Sequence, residues 1–295
     1  MTPVITALPG VDLPDLRRAL NEVHIRLQNA RSTIGPGVDV YNAYIRWVNE
    51  AAEHLARLVP SRTLEHLVLT TRYWSLQNHP DTAALQPIQQ LLHVELNERD
   101  RAFASAVDEV DAEVRRWTHS PGVLVVVDTS FFITHPEKLE DADLAPFLGL
   151  REQPIRVVLP ILVIDELDNL KRSGDRHTRW RTSYSLAVLD RVLRSSTGPA
   201  VLRPEDFTAI TSQTGGIPRG AVTLEVLFDP AGHARLPIAD DEIVARALAV
   251  QGNAGRTVRF VTYDTAQSFR ARHAGLEAIK LDSPQSAAPE LQPTP

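Results

Sequence analysis

Four acidic residues occupy positions where carboxylates often take part in chemistry. Asp128 directly follows the apolar run "VLVVV", and Asp264 directly follows "TVRFVTY". Asp240 begins a helical segment after "RLPIA", and Glu166 lies near the middle of the segment after "IRVVLP". In an open parallel sheet, ligands bind in the crevice beyond the carboxyl ends of the strands. We therefore predict that these four acids meet at one edge of a sheet.

A cluster of this kind requires a cation. Carboxylates within about 4 Å of one another repel by roughly 4 kcal/mol per pair at an effective dielectric constant near 20. Ligand sets made only of oxygen suit Mg²⁺ or Mn²⁺, and Mg²⁺ bridges carboxylates to substrate phosphate. Such ions activate water for attack on a phosphodiester. The four acids are therefore candidate metal ligands and catalytic residues.

Each acid also has an ordinary structural interpretation. Asp240 has the position of a helix N-cap before "DEIV", and Asp128 and Asp264 could cap the helices that follow them. Glu166 could be a solvated helix residue. Its neighbour Asp165 points about 100° away around a helix and is the weaker candidate. The functional interpretation depends on the set of four.

Two hydrophobic patterns divide the chain. Residues 1–118 have helical periodicity almost throughout, which predicts an all-α bundle of four helices whose role is unknown. Residues 121–283 alternate apolar strands with helices, which predicts an α/β domain with a parallel central sheet. Residues 284–295 are too poor in apolar side chains to fold and are predicted to be disordered. The predicted strands are 123–127, 155–159, 221–228 and 257–263, and the predicted helices of this domain are 160–173, 180–195, 240–251 and 265–275.

In the helical region, the third predicted helix is "TLEHLVLTTRYWSL". Five aromatic residues of the region are interpreted as bundle core because they lie on helical segments with one apolar face. They are Tyr41, Tyr44, Trp47, Tyr73 and Trp74.

Composition excludes several classes of protein. The net charge of −6 argues against binding nucleic acid by bulk attraction. The absence of cysteine excludes disulfides and thiolate chemistry and fits a cytoplasmic location. No stretch of about 18 apolar residues and no signal peptide is visible, so no membrane association is expected. The histidines lack the H-E-x-x-H spacing, and neither a phosphate-binding loop nor a G-x-S-x-G elbow occurs.

The segments "VVVDTSFFI", "VLPILVIDELDNLK", "ADDEIVARAL" and "FVTYDTAQSFRARHAGLEAI", in this order, resemble a PIN domain. The resemblance covers about residues 121–283 and does not reach the helical region. It implies a three-layer α/β/α sandwich and a metal-dependent endoribonuclease that hydrolyses single-stranded RNA with a metal-activated water. One or two Mg²⁺ or Mn²⁺ ions would be bound, and the products would carry a 5′-phosphate and a 3′-hydroxyl.

The resemblance also implies a role for individual residues. The third acid is either Asp240 or Asp241, because the asparagine that usually precedes it in the family is Ala239 here. The four acids that match the family pattern are Asp128, Glu166, Asp240 and Asp264. The hydroxyls expected to hold these ligands or a bound water are those of Thr129, Ser130 and Thr262.

A basic segment next to the Glu166 helix is the predicted RNA contact, because cations dock phosphates. An ordinary solvated loop explains the same residues. Trp180 and Tyr184 could stack on bases, or they could be buried, and Arg270 and Arg272 are weaker candidates for RNA binding. The basic residues are Lys171, Arg172, Arg176, Arg179 and Arg181.

Two other functions are compatible with the same motifs. The domain could be a PIN-like interaction module, or a toxin-type component held by an inhibitory protein partner. It could instead be a nuclease that cuts structured DNA. The helical region could recruit a protein partner, orient RNA or restrain activity, and homo-oligomers are common in the family.

Overall fold

The computed structural model of the protein describes residues 5–8, 10–32, 37–78, 85–119, 121–173, 175–194, 198–207, 218–230 and 233–283. The predicted disordered tail, 284–295, lies outside these residues. The chain divides into two compact units. One unit comprises Met1–His119 together with Gly252–Gly255, and the other comprises Ser120–Gln251 and Arg256–Pro295.

The first unit is helical, as the sequence predicts, and it buries one hydrophobic core. Tyr44, Trp47 and Tyr73 lie in this core, whereas Trp74 is 53% exposed, so its assignment to the core was wrong. Its helices are α1 (Leu13–Arg31), α2 (Gly37–Leu55), α3 (Ser61–Leu67), α4 (Thr71–Gln77) and α5 (Leu85–Thr118).

The third predicted helix is interrupted and forms α3 and α4. Distant side chains stabilise the break. The buried Arg99 side chain donates to the carbonyl oxygens of His66 and Leu67, at the end of α3. Thr70 accepts the amide proton of Tyr73 at 3.1 Å and so caps α4. Its hydroxyl also donates to the buried Glu95 at 2.8 Å. Helix periodicity continues across this break, so local sequence alone does not reveal it.

The second unit contains a sheet of six strands in the order β3-β4-β2-β1-β5-β6. The strands are β1 (Val123–Val127), β2 (Ile155–Pro160), β3 (Ala200–Arg203), β4 (Val222–Leu227), β5 (Val258–Thr262) and β6 (Glu277–Lys280). The helices are α6 (Thr129–Thr134), α7 (Ile161–Ser173), α8 (Arg176–Leu193), α9 (Ala239–Ala254) and α10 (Thr265–His273), and α9 belongs to this unit up to Gln251.

Five of these strands are parallel, and β3 pairs with β4 in the antiparallel direction at one edge. The chain moves from β1 through β2 to β4 in one direction and then crosses back to β5 and β6. Because parallel crossovers are right-handed, α6 to α8 cover one face of the sheet and α9 and α10 cover the other. The predicted three-layer α/β/α fold is confirmed, with an antiparallel edge strand added.

The four predicted strands all form, because their side chains are buried on both faces of the sheet. The edge strands β3 and β6 were missed, and so was the short helix α6. Edge strands carry half-exposed side chains and lack the continuous apolar run of a central strand. Among the described residues, no helix combines the length and the apolar character that a membrane span requires.

Candidate active site

Strands β1 and β5 are neighbours, but their connections leave toward opposite faces of the sheet. This reversal opens a crevice at the carboxyl ends of the two strands. Asp128 directly follows β1, and Asp264 lies two residues after the end of β5. Both acids therefore stand at the topological switch point, as their positions in the sequence predict. Each also caps the helix that follows it, Asp128 through the amide of Phe131 and Asp264 through the amide of Gln267.

Asp128 is only 5% exposed and is held by hydroxyl groups from two strand ends. Ser130 Oγ donates to Asp128 Oδ1 at 2.6 Å, and Thr262 Oγ1 donates to Asp128 Oδ2 at 2.5 Å. The same hydroxyls accept the amide protons of Tyr263 and Asp264, at 2.9 and 2.8 Å. Each hydroxyl therefore directs its own proton to Asp128. The arrangement fixes the orientation of a carboxylate that can present its remaining lone pairs to a ligand.

Among the described residues, no cationic side chain forms a salt bridge with Asp128. Burial raises the pKa of Asp128 from 3.8 to about 6, although hydrogen bonds from Ser130, Thr262 and the Phe131 amide lower it. The charge of Asp264 also raises the pKa, and the value of about 6 is the net result of all these effects. A buried carboxylate of this kind favours either a proton or a bound cation.

Glu166 lies in α7 and is joined to the Asp128 loop by Thr129. Thr129, the residue after Asp128, donates its hydroxyl proton to Glu166 Oε2. Burial raises the pKa of Glu166, the Thr129 hydrogen bond lowers it, and the charge of Asp240 raises it. Glu166 is thus an electrostatic neighbour of Asp240 and a hydrogen-bonded neighbour of the β1 end.

Asp240 and Asp241 lie in the first turn of α9 and face different partners. Arg270 of α10 donates to Asp241 Oδ1. The Nε atom of Arg270 is 3.9 Å from Asp240 Oδ2, which is an ion pair without a hydrogen bond. The side-chain amide of Gln267 donates to the main-chain oxygen of Asp240 at 3.1 Å. Arg270 therefore engages Asp241 more strongly than Asp240.

The four carboxylates share one edge but are less crowded than the expected 4 Å. Among the described residues, no three of them place ligand atoms within 4.8 Å of one another. The expectation of a tight cluster was wrong in this respect. Asp128, Glu166 and Asp264 instead accept hydrogen bonds from the nearby hydroxyls and amides. The carboxylates are nevertheless close enough to affect one another: the charge of Asp264 raises the pKa of Asp128, and the charge of Asp240 raises the pKa of Glu166.

A different group, Asp229, His233 and Glu242, does meet that distance. Its ligand atoms are already engaged. Glu242, fully buried, accepts from the amide of Leu236 at 2.9 Å and lies 2.6 Å from His233 Nε2. Asp229 pairs with Arg235, at 2.7 Å. This group ties the loop before Asp240 to α9, and we interpret it as structural.

Arg235 connects the loop before Asp240 to α7, the helix that carries Glu166. Its guanidinium bonds Asp229 and also Asp165 of α7, at 2.8 Å. Asp165 is therefore occupied by an ion pair with Arg235. The sequence gives no signal for Arg235, His233 or Glu242, because their partners are set by the path of the loop.

The residues at the edge fit a divalent cation. All candidate ligand atoms are oxygens, the donor type that Mg²⁺ and Mn²⁺ prefer. Within the described ranges, no Lys, Arg or His side chain forms a salt bridge with Asp128, Glu166 or Asp264. A cation would thus supply the positive charge that the buried Asp128 lacks.

The basic segment is divided between two environments. Lys171, Arg172, Arg176 and Arg179 are exposed. Arg181 is only 8% exposed, and its guanidinium donates to the carbonyl oxygens of Phe132, His135 and Glu137. The prediction that Arg181 contacts RNA was therefore wrong, because its side chain anchors α8 to the end of α6.

Comparison with known families agrees with this fold. A family model described as PIN domain matches residues 125–282, more than half of the chain and nearly all of the second unit. No curated protein matches the sequence.

Proposed function

Because the chain belongs to the PIN domain family, whose members are generally metal-dependent nucleases, we propose that it is an endoribonuclease acting on single-stranded RNA. The proposed cofactor is Mg²⁺ or Mn²⁺. The proposed nuclease domain is residues 121–283, with the helical region as a separate domain. We place the reaction in the cytoplasm, in keeping with the absence of cysteine.

The observation that carries this proposal is the environment of Asp128. It is buried at the switch point, fixed by two hydroxyls and without a salt-bridge partner among the described residues. A structural carboxylate this buried is normally paired with a cationic side chain. An unpaired one at the carboxyl edge of a parallel sheet supports ligand binding at that point.

The proposed ligands are Asp128, Glu166, Asp240 and Asp264. A divalent cation bound by them would neutralise charge on a phosphodiester and lower the pKa of a water molecule. Thr129 would hold Glu166, while Ser130 and Thr262 would hold Asp128 in its acceptor orientation. These residues orient the ligands, and no side chain needs to form a covalent bond to the substrate.

Cleavage of a labelled, unstructured RNA by the full-length protein tests the proposed function. We expect cuts inside the strand that leave 5′-phosphate and 3′-hydroxyl ends, that require Mg²⁺ or Mn²⁺, and that stop when EDTA is added. Matched single-stranded DNA and a DNA hairpin run in parallel. Cleavage of the DNA hairpin with the RNA left intact would assign the enzyme to structured DNA. Cleavage that continues in EDTA would exclude the metal-dependent mechanism.

The contacts of Arg270 lead us to propose Asp240 rather than Asp241 as the third ligand. Asp241 accepts a hydrogen bond from the Arg270 guanidinium, whereas the charge of Asp240 raises the pKa of Glu166. We expect Asp240→Asn to weaken Mn²⁺ binding by more than about 100-fold, since even residues that only orient ligands contribute about 10- to 100-fold. Asp241→Asn should weaken it by less than about 10-fold.

Titration calorimetry with Mn²⁺ on the two variants measures this difference, and each variant is the size-matched control of the other. If Asp241→Asn weakened Mn²⁺ binding more than Asp240→Asn, Asp241 would be the ligand and Asp240 the partner of Arg270. Equal, small effects would remove both residues from the proposed site.

A further inference from the structure

One side of α8 presents a row of aromatic rings to solvent. His177, Trp180 and Tyr184 lie at i, i+3 and i+7, the spacing that aligns side chains along one helix face. We call these three residues the α8 ridge. The rings of Trp180 and Tyr184 are stacked, with centroids 5.9 Å apart and planes 26° apart, and His177 lies 6.3 Å from Trp180. Trp180 is 52% exposed, although a large apolar ring is normally buried.

Exposed cations lie on α8 itself and in the last turn of α7, the helix before it. Lys171, Arg176 and Arg179 are exposed, and none of them pairs with a carboxylate in the part of the chain that the structure describes. The ammonium group of Lys138 lies 5.2 Å from the centre of the Tyr184 ring. These cations can contact phosphates while the rings contact bases.

Two acids near the α8 ridge, Glu140 and Asp175, are engaged locally. Glu140 accepts the hydroxyl proton of Tyr184 at 2.5 Å and pairs with Arg191. Asp175 caps α8 by accepting the amide protons of His177 and Thr178, at 2.7 and 3.0 Å. Glu140 and Asp175 therefore leave Lys171, Arg176 and Arg179 available to an anionic ligand, whereas Asp141 adds a negative charge near Tyr184.

The α8 ridge is fixed with respect to the carboxylate edge. Arg181, next to Trp180, donates to the carbonyl oxygen of His135. The ring of His135 is in turn hydrogen-bonded to the Tyr263 hydroxyl at 2.8 Å. The amide of Tyr263 donates to Ser130, which holds Asp128. A strand held on the α8 ridge would thus be positioned by a continuous set of contacts that ends at the proposed metal ligands.

We propose that the α8 ridge binds the bases of single-stranded RNA, with Lys171, Arg176 and Arg179 on the adjoining phosphates. This inference rests on the proposed function and identifies where its substrate is held outside the cleavage site. Aromatic side chains stack on any exposed base, whereas the bases of a duplex are covered by their neighbours. Exposed rings flanked by unpaired cations fit this ligand better than they fit a protein surface, for which the charges would have to be desolvated.

Fluorescence anisotropy with a labelled, unstructured RNA of about 12 nucleotides tests the proposal. EDTA is present to prevent cleavage. We expect Trp180→Ala to weaken binding by about 5- to 150-fold, the range for loss of one base-stacking contact, and Trp180→Phe to restore most of the affinity. Trp74→Ala is the matched control, because Trp74 is equally exposed but lies on α4 in the helical unit. It should bind RNA as the unchanged protein does.

Salt dependence tests the phosphate contacts separately. Replacing Arg176 and Arg179 together with alanine should reduce the slope of log K against log salt concentration by about 1.4, at about 0.7 for each phosphate contact with a single strand. An unchanged slope would remove these arginines from the interface.

The outcomes separate this inference from the proposed function. If Trp180→Ala binds RNA as tightly as the unchanged protein, the RNA-binding role of the α8 ridge is contradicted, even if the protein cleaves RNA with Mn²⁺. If Trp180→Ala loses RNA binding and the unchanged protein cleaves no RNA, the RNA-binding role of the α8 ridge is supported and the proposed nuclease activity is contradicted. Binding of matched DNA that RNA fails to displace, or binding of neither strand, would overturn the assignment to RNA.

Discussion

Asp128→Asn is expected to reduce RNA cleavage by at least about 1,000-fold, because it removes a proposed ligand, whereas residues that only orient ligands contribute about 10- to 100-fold. Asparagine has nearly the same shape as aspartate, and its carbonyl oxygen can still accept the protons of Ser130 and Phe131. The substitution removes the negative charge and keeps the shape of the side chain, but the amide nitrogen that replaces Oδ2 faces the Thr262 hydroxyl, which must then accept a proton instead of donating one. We therefore expect a large loss of cleavage and metal binding in a variant that still folds.

Initial cleavage rates at saturating Mn²⁺ measure this effect. Asp190→Asn provides a control in the same unit, because Asp190 is an exposed acid on α8 that pairs with Arg194 four residues later. The control should retain the rate of the unchanged protein. If Asp128→Asn kept Mn²⁺-dependent cleavage within about 10-fold, Asp128 would be a helix cap and not a metal ligand.

Without metal, Asp128 is expected to make the protein less stable as the pH rises from about 4 to about 7. Its pKa is 3.8 when unfolded and about 6 when folded, so the folded state binds more protons in this interval. The free energy of unfolding must then fall as the pH rises. The total is about 3 kcal/mol, of which about half is lost above pH 5. Mn²⁺ should reverse the loss at neutral pH, because it binds the ionised carboxylate of the folded state.

Urea unfolding in EDTA, between about pH 5 and pH 7.5, measures this change as the difference between the unchanged protein and Asp128→Asn. The difference is needed because burial lowers the pKa of His135, which makes the free energy of unfolding rise with pH over part of the same interval. Subtracting the variant cancels His135. We expect the variant to gain about 1 to 1.5 kcal/mol on the unchanged protein. A constant difference would mean that Asp128 ionises normally in the folded state.

The positions of Asp128 and Asp264 could be predicted because the strands before them are central. Val125, Val126 and Phe260 are fully buried, and a central parallel strand must be apolar on both faces. The point where such a run meets a carboxylate identifies the carboxyl edge of the sheet. The strand order of the family then places the carboxyl ends of β1 and β5 side by side, so that Asp128 and Asp264 lie at the same edge of the sheet.

The environment of α8 could not be predicted in the same way. Arg181 and Trp180 are adjacent in the sequence, and the apolar ring is exposed while the cation is buried. This inversion arises because the carbonyl oxygens after α6 lie where Arg181 enters, and these oxygens are far away in the sequence. Residue type normally predicts burial, and here a specific polar contact overrides it.

The loop before Asp240 was unpredictable for a related reason. Arg235 reaches Asp165 across 70 positions of the chain, and His233 reaches Glu242 only because the loop folds back on α9. Neither spacing corresponds to a regular element. The choice between Asp240 and Asp241 likewise depends on Arg270, which α10 brings to the start of α9.

A crystal soaked in Mn²⁺ and measured at the manganese absorption edge tests the central claim most directly. We predict an anomalous peak with Asp128, Glu166, Asp240 and Asp264 around it, and its disappearance in Asp128→Asn. A peak found only at Asp229, His233 and Glu242, or no peak beside Asp128 at millimolar Mn²⁺, would contradict the proposed metal site.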